Sequence, residues 1–567
     1  MAVHIAVGDE SFDEIRKTGL YYVDKSDLLY DLVGQTNNKV TLFTRPRRFG
    51  KTLNLSMMES FFDINRDSKA VFEGLNISKH RGFCSKWMNQ FPVLFISFKD
   101  VDGLDFESAY KMLAGTIAKL CIKFPNLEKD TSVSYADVEV FHRLLFKEAD
   151  QEEIKNSLQT IMRMMHAVYG KPVILLIDEY DVPLAKASEK NTAQNRFYEQ
   201  MLDVIKGMLS IALKTNEYLK FAVVTGCLRI AKESIFTGTN NFASYSVLDE
   251  DFSEYFGFTQ EEVDELLAAA DRGEKAAVFK EWYDGYIFGN TSVYCPWDVA
   301  SYAAALLKRR NAKPKNYWRN TSGNGIIRDF VGRDDLDVSD KFETLLSGGI
   351  ITERISDELT YDTLHETEQN LWSVLLMTGY LTKADPDADE EDVPLKIPNA
   401  EISRIFEDTV VKLFTDTLDT GRQRELMSAL WSEDTVTASR HLNDFLWDTI
   451  SYMDYHEDYY HAFLVGLFVG LGYAVDSNKE SGLGRFDVLV KDRRNRRVLL
   501  IEAKESATQE GMGADCDDAL RQIEEKGYVR RLDPGYEKAV CYGIAFFRKS
   551  AMIKSRIPRR NRNLSVD

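Results

Sequence analysis

At 567 residues, with 44% apolar and 28% charged side chains, the chain is too long for one hydrophobic core and too ordinary in composition for a disordered or membrane-embedded polymer. Its longest uncharged apolar run, residues 462–475, falls short of the roughly 20 residues that cross a bilayer, and six cysteines scattered without a C-x-x-C pair argue against a zinc site and fit a reducing cytoplasm. The net charge of −19 speaks against nucleic acid for the chain as a whole, yet residues 481–567 carry 19 Lys and Arg against 13 Asp and Glu, a net +6 that leaves −25 elsewhere.

The length prior divides the chain into about three parts: 1–250, 251–400 and 401–567. In the first, "KVTLFT" (39–44) reads as a short buried strand, and "KTLNLSMMESFF" (51–62) as a buried helix. Between them lies "RPRRFGKT". Strand, loop and helix is the setting a phosphate loop needs. Gly50 lets the backbone approach phosphates, Lys51 reaches the β- and γ-phosphates, and Thr52 ligates Mg²⁺. Arg45 stands where the first glycine of G-x-x-x-x-G-K-[ST] is expected, so the turn is differently wound. Arg47 and Arg48 supply compensating charge, since guanidinium groups pair well with phosphate oxygens. The expected cradle for ATP is thus Arg47, Arg48, Phe49, Gly50, Lys51 and Thr52.

"KPVILLIDEYDVPL" (171–184) follows, a continuous apolar run ending in Asp178 and Glu179. That is the pattern of a buried parallel strand with acids at its C-terminal edge. Asp178 is expected to hold Mg²⁺ and Glu179 to polarise the attacking water. A third apolar run, 221–224, ends in Thr225, a candidate γ-phosphate sensor. Arg229 is positioned to contact phosphate in cis or across a subunit interface of a homo-oligomer.

"YYVDKSDLLYDLV", "TRPRRFGKT", "LLIDEYDVPL", "TGCLRIAKESIFTGTNN" and "WYDGYIFG" together resemble the bacterial AAA-ATPase-like family over about the first 290 residues. That family itself carries R-P-R-R-F-G-K-T, so an arginine at position 45 is its norm. The resemblance implies a P-loop NTPase parallel sheet with flanking helices, and bound ATP.

The middle part reads as helices followed by a winged-helix-like or lid unit. "TQEEVDELLAAA" opens with a capping box, Thr259 to Glu262. Residues 371–399 give an apolar helix, a strand near 380, an acidic turn and a strand near 395. The acidic turn would repel phosphates, so this unit is expected to be structural or switching, with "WYDGYIFG" packed on the ATPase.

The last part contains "GRFDVLVKDRRNRRVLLIEAKES" (484–506), two apolar strands joined by a polar turn centred between Arg494 and Asn495. That register sets Asp487 opposite Glu502, with Lys504 on the same face. Two opposed carboxylates repel, and either Lys504 or a divalent cation relieves them. Oxygen ligands suit Mg²⁺ or Mn²⁺. Asp487 and Glu502 are therefore candidate metal ligands, and Lys504 a candidate for positioning a nucleophile. The block resembles the PD-(D/E)XK nuclease superfamily, in the subgroup fused behind such ATPases, from about 456 to 547. The resemblance adds Gln522 near the site and Glu457 reaching toward the metal.

These readings converge on a cytoplasmic ATP-binding, ATP-hydrolysing protein with a metal-dependent α/β nuclease domain. It would act on nucleic acid, DNA in preference to RNA, in a setting such as defence against foreign DNA. The alternative is a nucleotide-dependent switch whose nuclease-like domain binds nucleic acid or protein without cleavage.

Overall fold

The structure, a computed structural model, describes residues 3–35, 38–188, 197–229, 241–318, 339–346, 348–356, 359, 361, 367–388, 392–406, 420–449, 460, 463–465, 467–468, 473–481, 484–531, 535–548 and 550–557. Contacts divide the chain into two compact units, residues 1–322 with 350–402, and residues 323–349 with 403–567. The winged region thus belongs to the unit that contains the phosphate loop.

The first unit is built on a five-stranded sheet: β1 (Val40–Thr44), β2 (Val93–Ser97), β3 (Val173–Asp178), β4 (Leu219–Gly226) and β5 (Phe242–Tyr245), in the order β2-β3-β4-β1-β5. Every pairing is parallel. β1 and β3 are wholly buried, as expected for strands covered on both faces. Helix α1 (Lys51–Phe62) packs Leu55, Met58, Phe61 and Phe62 into a core with Phe43, Ile174, Leu176 and Val223. The order inserts β4 between the phosphate-loop strand and the acidic strand. Thr225, at the end of β4 and level with Phe43 of β1, therefore sits between the strand that leads into the phosphate loop and the strand that ends in Asp178.

Two small sheets complete this unit. β6 (Tyr286–Phe288) and β7 (Thr291–Val293) form a hairpin. β8 (Ile351–Glu353), β9 (Thr382–Lys383) and β10 (Val393–Lys396) pair in the order β8-β10-β9, with the buried apolar helix Glu368–Met377 lying between β8 and β9 in sequence. The expected capping box is present: the Thr259 side chain accepts from the Glu262 N–H, and Glu262 accepts from the Thr259 N–H at 2.8 Å.

The second unit carries a mixed sheet of β11 (Ala474–Ser481), β12 (Gly484–Asp492), β13 (Arg497–Glu505), β14 (Lys538–Phe547) and β15 (Ser550–Arg556), in sequential order. β13 and β14 are parallel and the other pairs antiparallel. Both faces are buried, and the period-two alternation sorts the residues. Val488, Val490, Leu499 and Ile501 enter one core with Leu430, Leu446 and Phe468. Leu489, Val498 and Leu500 enter another with Leu520, Ile523 and Tyr528, where helix α2 (Met512–Glu525) packs. Among the described residues no helix is long and apolar enough to cross a membrane.

Candidate functional sites

In the first unit the side chains expected around a nucleotide meet at the C-terminal edge of the parallel sheet. Thr52 Oγ1 donates to Asp178 Oδ2 at 2.9 Å, Thr225 Oγ1 donates to Asp178 Oδ1 at 2.7 Å, and Ser97 Oγ donates to Oδ2 at 3.3 Å. Asp178 is fully buried, and three hydroxyls satisfy its carboxylate. Lys51 is also buried, and its ammonium donates to the carbonyls of Arg45 and Pro46, both at 2.8 Å. The lysine is folded over its own loop.

Gly50 opens α1 at φ +82, in the left-handed region that a side chain disfavours, and Arg48 holds φ +73 in the same turn. Glu179 is left-handed as well, at φ +51, a strained conformation of the kind that collects at functional sites. Burial, and then the neighbouring Asp178 charge, hold its carboxyl above the usual carboxylate range, against the pull of Lys51.

The loop differs in detail from its electrostatic expectation. Arg45 turns inward and is fully buried, donating to the carbonyls of Thr44 at 3.0 Å and Tyr245 at 2.9 Å, with Phe256 and Phe288 rings 5.2 and 5.5 Å from its guanidinium. Burial pushes its pKa down to about 9. Arg45 thus fastens the loop to the end of β5 in place of a glycine turn. Arg48 lies over the Trp297 ring at 4.1 Å and donates to the Tyr317 carbonyl at 3.0 Å, so its guanidinium is committed to protein contacts. Arg47, beside Cys227, Tyr361, Glu179 and Asp181, is the loop arginine facing the acidic strand end. Phe49 is fully buried against Tyr286 and Phe288, both at 5.0 Å between ring centroids, so only its backbone can serve a nucleotide. That contact also places "WYDGYIFG" against the loop. Arg229 follows β4 by three residues.

In the second unit the hairpin has the expected register: Val488 faces Ile501 and Asp492 faces Arg497. Asp487 and Glu502 come next in line, on the α2 face. Their strand pairing stops there, and Asp487 Oδ2 accepts the Ala503 N–H at 2.8 Å. Glu502 is 1% exposed; its Oε1 accepts from Gln522 Nε2, while Oε2 is buried with no hydrogen-bond partner among the described residues. Burial, and then Asp487, push Glu502 up to about 7, with Lys504 and Lys526 opposing. Lys504 is two residues from Glu502 on the same strand face. Glu457 lies outside the described residues.

Sequence reasoning missed two residues here. Tyr528 is buried, and burial, then the Glu502 and Asp487 charges, push its phenol up to about 12, with a hydrogen bond to Gln522 opposing. Lys526 adds positive charge near Glu502. Their spacing after Gln522, just beyond a helix that faces the carboxylates, was the available signal.

Among the described residues no group of three or more His, Cys, Asp or Glu side chains is arranged to hold a metal ion by itself. A hard cation at the hairpin would therefore take two carboxylates and fill the rest of its shell from water and substrate, which is normal for Mg²⁺. The unpartnered, buried Glu502 Oε2 fits that use. At the phosphate loop, the adjacent Thr52 hydroxyl and Asp178 carboxylate fit Mg²⁺ equally.

A parallel sheet with a phosphate loop on one strand and an acid pair two strands away is a P-loop NTPase fold, and the carboxylate hairpin on a mixed sheet suits a PD-(D/E)XK domain. Family models agree: a predicted AAA-ATPase matches residues 6–236, and the PD-(D/E)XK nuclease superfamily matches residues 455–556. The chain therefore joins an AAA-ATPase-like domain to a C-terminal PD-(D/E)XK nuclease superfamily domain. It is similar to an uncharacterized protein encoded in the vnfD 5' region of Azotobacter chroococcum mcd 1, with 25% identity over 560 residues and 97% of each chain covered. No solved structure matches.

Proposed function

We propose that the chain is an ATPase coupled to a Mg²⁺- or Mn²⁺-dependent nuclease, acting on DNA in preference to RNA in the cytoplasm, with defence against foreign DNA as the setting for the fusion. The observation that carries the nuclease reading is Glu502: a buried carboxylate with one oxygen left without a partner, beside Asp487 and Lys504. A buried polar atom without a partner is costly unless a ligand completes it.

In the first unit, Lys51 would exchange the carbonyls of Arg45 and Pro46 for the β- and γ-phosphate oxygens, with Arg47 adding charge from the loop. Thr52 and Asp178 would hold Mg²⁺ between them, and Thr225 would sense the γ-phosphate. Glu179, its carboxyl raised toward neutrality, would take a proton from the attacking water. Arg229 would contact phosphate in cis or from a neighbouring copy. In the second unit, Asp487 and Glu502 would hold the cation, which supplies activation of water and stabilisation of phosphate charge. Lys504 would orient the nucleophile, Gln522 would fix the Glu502 rotamer, and Glu457 would extend the ligand set. The basic balance of residues 481–567 would attract the polyanion.

The test is nicking of supercoiled plasmid and of single-stranded DNA by the full chain with Mg²⁺ or Mn²⁺, with and without ATP. Cleavage lost in Glu502→Gln is expected. Metal-dependent retention of DNA with no cleavage would favour a binding switch instead.

A further inference from the structure

Asp181, three residues beyond Asp178 and 1% exposed, accepts three hydrogen bonds on one oxygen. They come from the N–H of Cys227 at 2.8 Å, the N–H of Leu228 at 3.0 Å and the hydroxyl of Tyr361 at 2.9 Å. The first two donors belong to the segment that leaves β4 between Thr225 and Arg229. The third belongs to the winged region, 180 residues away in sequence. Ser188 Oγ also donates to the Tyr361 carbonyl at 2.7 Å, so this tyrosine is held at both its backbone and its phenol.

The packing around this carboxylate is interlocked. Tyr180 donates its N–H to the Thr225 carbonyl at 3.1 Å and its hydroxyl to the Leu228 carbonyl at 2.9 Å. A Cβ on Gly226 would meet the Tyr180 ring at 2.6 Å and Asp181 Oδ1 at 2.9 Å, so the strand end packs directly against both residues with no room for a side chain. Thr225 is in turn bonded to Asp178 at 2.7 Å. Displacing Asp181 would therefore shift the hydroxyl expected to sense the γ-phosphate, and the start of the chain leading to Arg229.

We propose that Tyr361 is a positioning residue for ATP hydrolysis: through Asp181 it holds the Thr225–Arg229 segment in register with the acidic strand, so the winged region sets the turnover rate of the ATPase. This rests on the ATPase reading above. The phenol touches no nucleotide group in this scheme; it donates its hydrogen bond to the Asp181 carboxylate, with Arg47 close to both. A buried hydrogen bond to a carboxylate is strong enough to do this.

The experiment compares wild type, Tyr361→Phe and Asp181→Asn for ATP affinity by titration and for turnover by phosphate release. Tyr361→Phe keeps the ring and its packing, and melting curves check that each variant is folded. The expected result is ATP affinity within about twofold of wild type with turnover reduced about tenfold in Tyr361→Phe and at least as much in Asp181→Asn. Unchanged turnover in Tyr361→Phe would overturn the proposal and leave the ATPase reading standing. So would affinity and turnover falling together alongside a lower melting temperature, because that is the mark of a packing contact. Absence of turnover in the wild type would overturn the ATPase reading itself, and this inference with it.

Discussion

Thr52 and Asp178 stand two strands apart in the sheet, on β1's helix and at the end of β3, and still share a 2.9 Å hydrogen bond. Thr225, on the strand between them, bonds the other oxygen of the same carboxylate. With Ser97 the two threonines make three hydroxyls that satisfy the buried charge and hold Thr52, Thr225 and Asp178 at fixed positions around one carboxylate. Preorganisation of this kind lowers the cost of binding.

Lys51→Ala tests the loop. The lysine would make charge-assisted bonds to phosphate, each worth about 1.5–3 kcal/mol, so its loss should weaken ATP binding by about 100-fold or more. Its present partners are carbonyls of Arg45 and Pro46, which water can satisfy in the variant. Calorimetric titration with ATP measures this. Undiminished affinity would exclude the loop as the nucleotide site.

Glu179→Gln separates binding from turnover. The amide keeps the shape and removes the base, so ATP should bind while hydrolysis falls about tenfold or more. Burial raises the Glu179 pKa, and the base works only when ionised. Wild-type turnover should therefore fall as pH drops through that raised value, at a higher pH than an ordinary glutamate would give. Retained turnover in the variant would move the role elsewhere. Asp181, whose Oδ2 is engaged by two backbone N–H groups and Tyr361 while its Oδ1 has no hydrogen-bond partner among the described residues, would be the next carboxylate to test.

Glu502 links the nuclease site to stability. Its folded pKa of about 7 lies above the unfolded value near 4.5, so the folded state holds the proton more tightly. The resulting stabilisation is fully present below about 4.5 and is lost as pH rises through 7, amounting to about 3 kcal/mol for a shift of this size. Urea unfolding of the metal-free protein should show that loss between pH 5 and 7.5, and Glu502→Gln should flatten it. An equal slope in the variant would place the titration on another group.

Much of this was legible in the sequence because it was local. The hairpin turn at Arg494–Asn495 fixes its own register, which brings Asp487 level with Glu502, and a strand followed by "FGKT" and a helix dictates where Lys51 and Thr52 sit. What was not legible depends on partners distant in sequence. That Arg45 faces inward follows from Phe256, Phe288 and the Tyr245 carbonyl, and that Arg48 is engaged follows from Trp297 and Tyr317. Motif spacing records charge but not direction, so Arg47 and Arg48 read alike although only Arg47 faces the acidic strand end. Tyr361 and Asp181 meet only because the winged region folds onto the sheet that bears the phosphate loop.

Asp487→Asn distinguishes a metal site from a polar hairpin end. Asp487 Oδ2 accepts the Ala503 N–H, and an asparagine oxygen can accept the same bond, so the substitution removes charge and little else. Repulsion from Asp487 is one of the forces raising the Glu502 pKa. The metal-free variant should therefore melt at the same temperature as wild type or slightly higher, and its Glu502 should titrate closer to an ordinary glutamate. Mn²⁺ binds the folded wild type through two carboxylates and stabilises it by mass action, whereas the variant offers one and should gain little. If Asp487 served only to pair with Lys504, its loss would lower the melting temperature without any metal dependence. Four melting curves, two proteins with and without Mn²⁺, decide the matter, and equal metal-induced shifts in both would remove Asp487 from the ligand set.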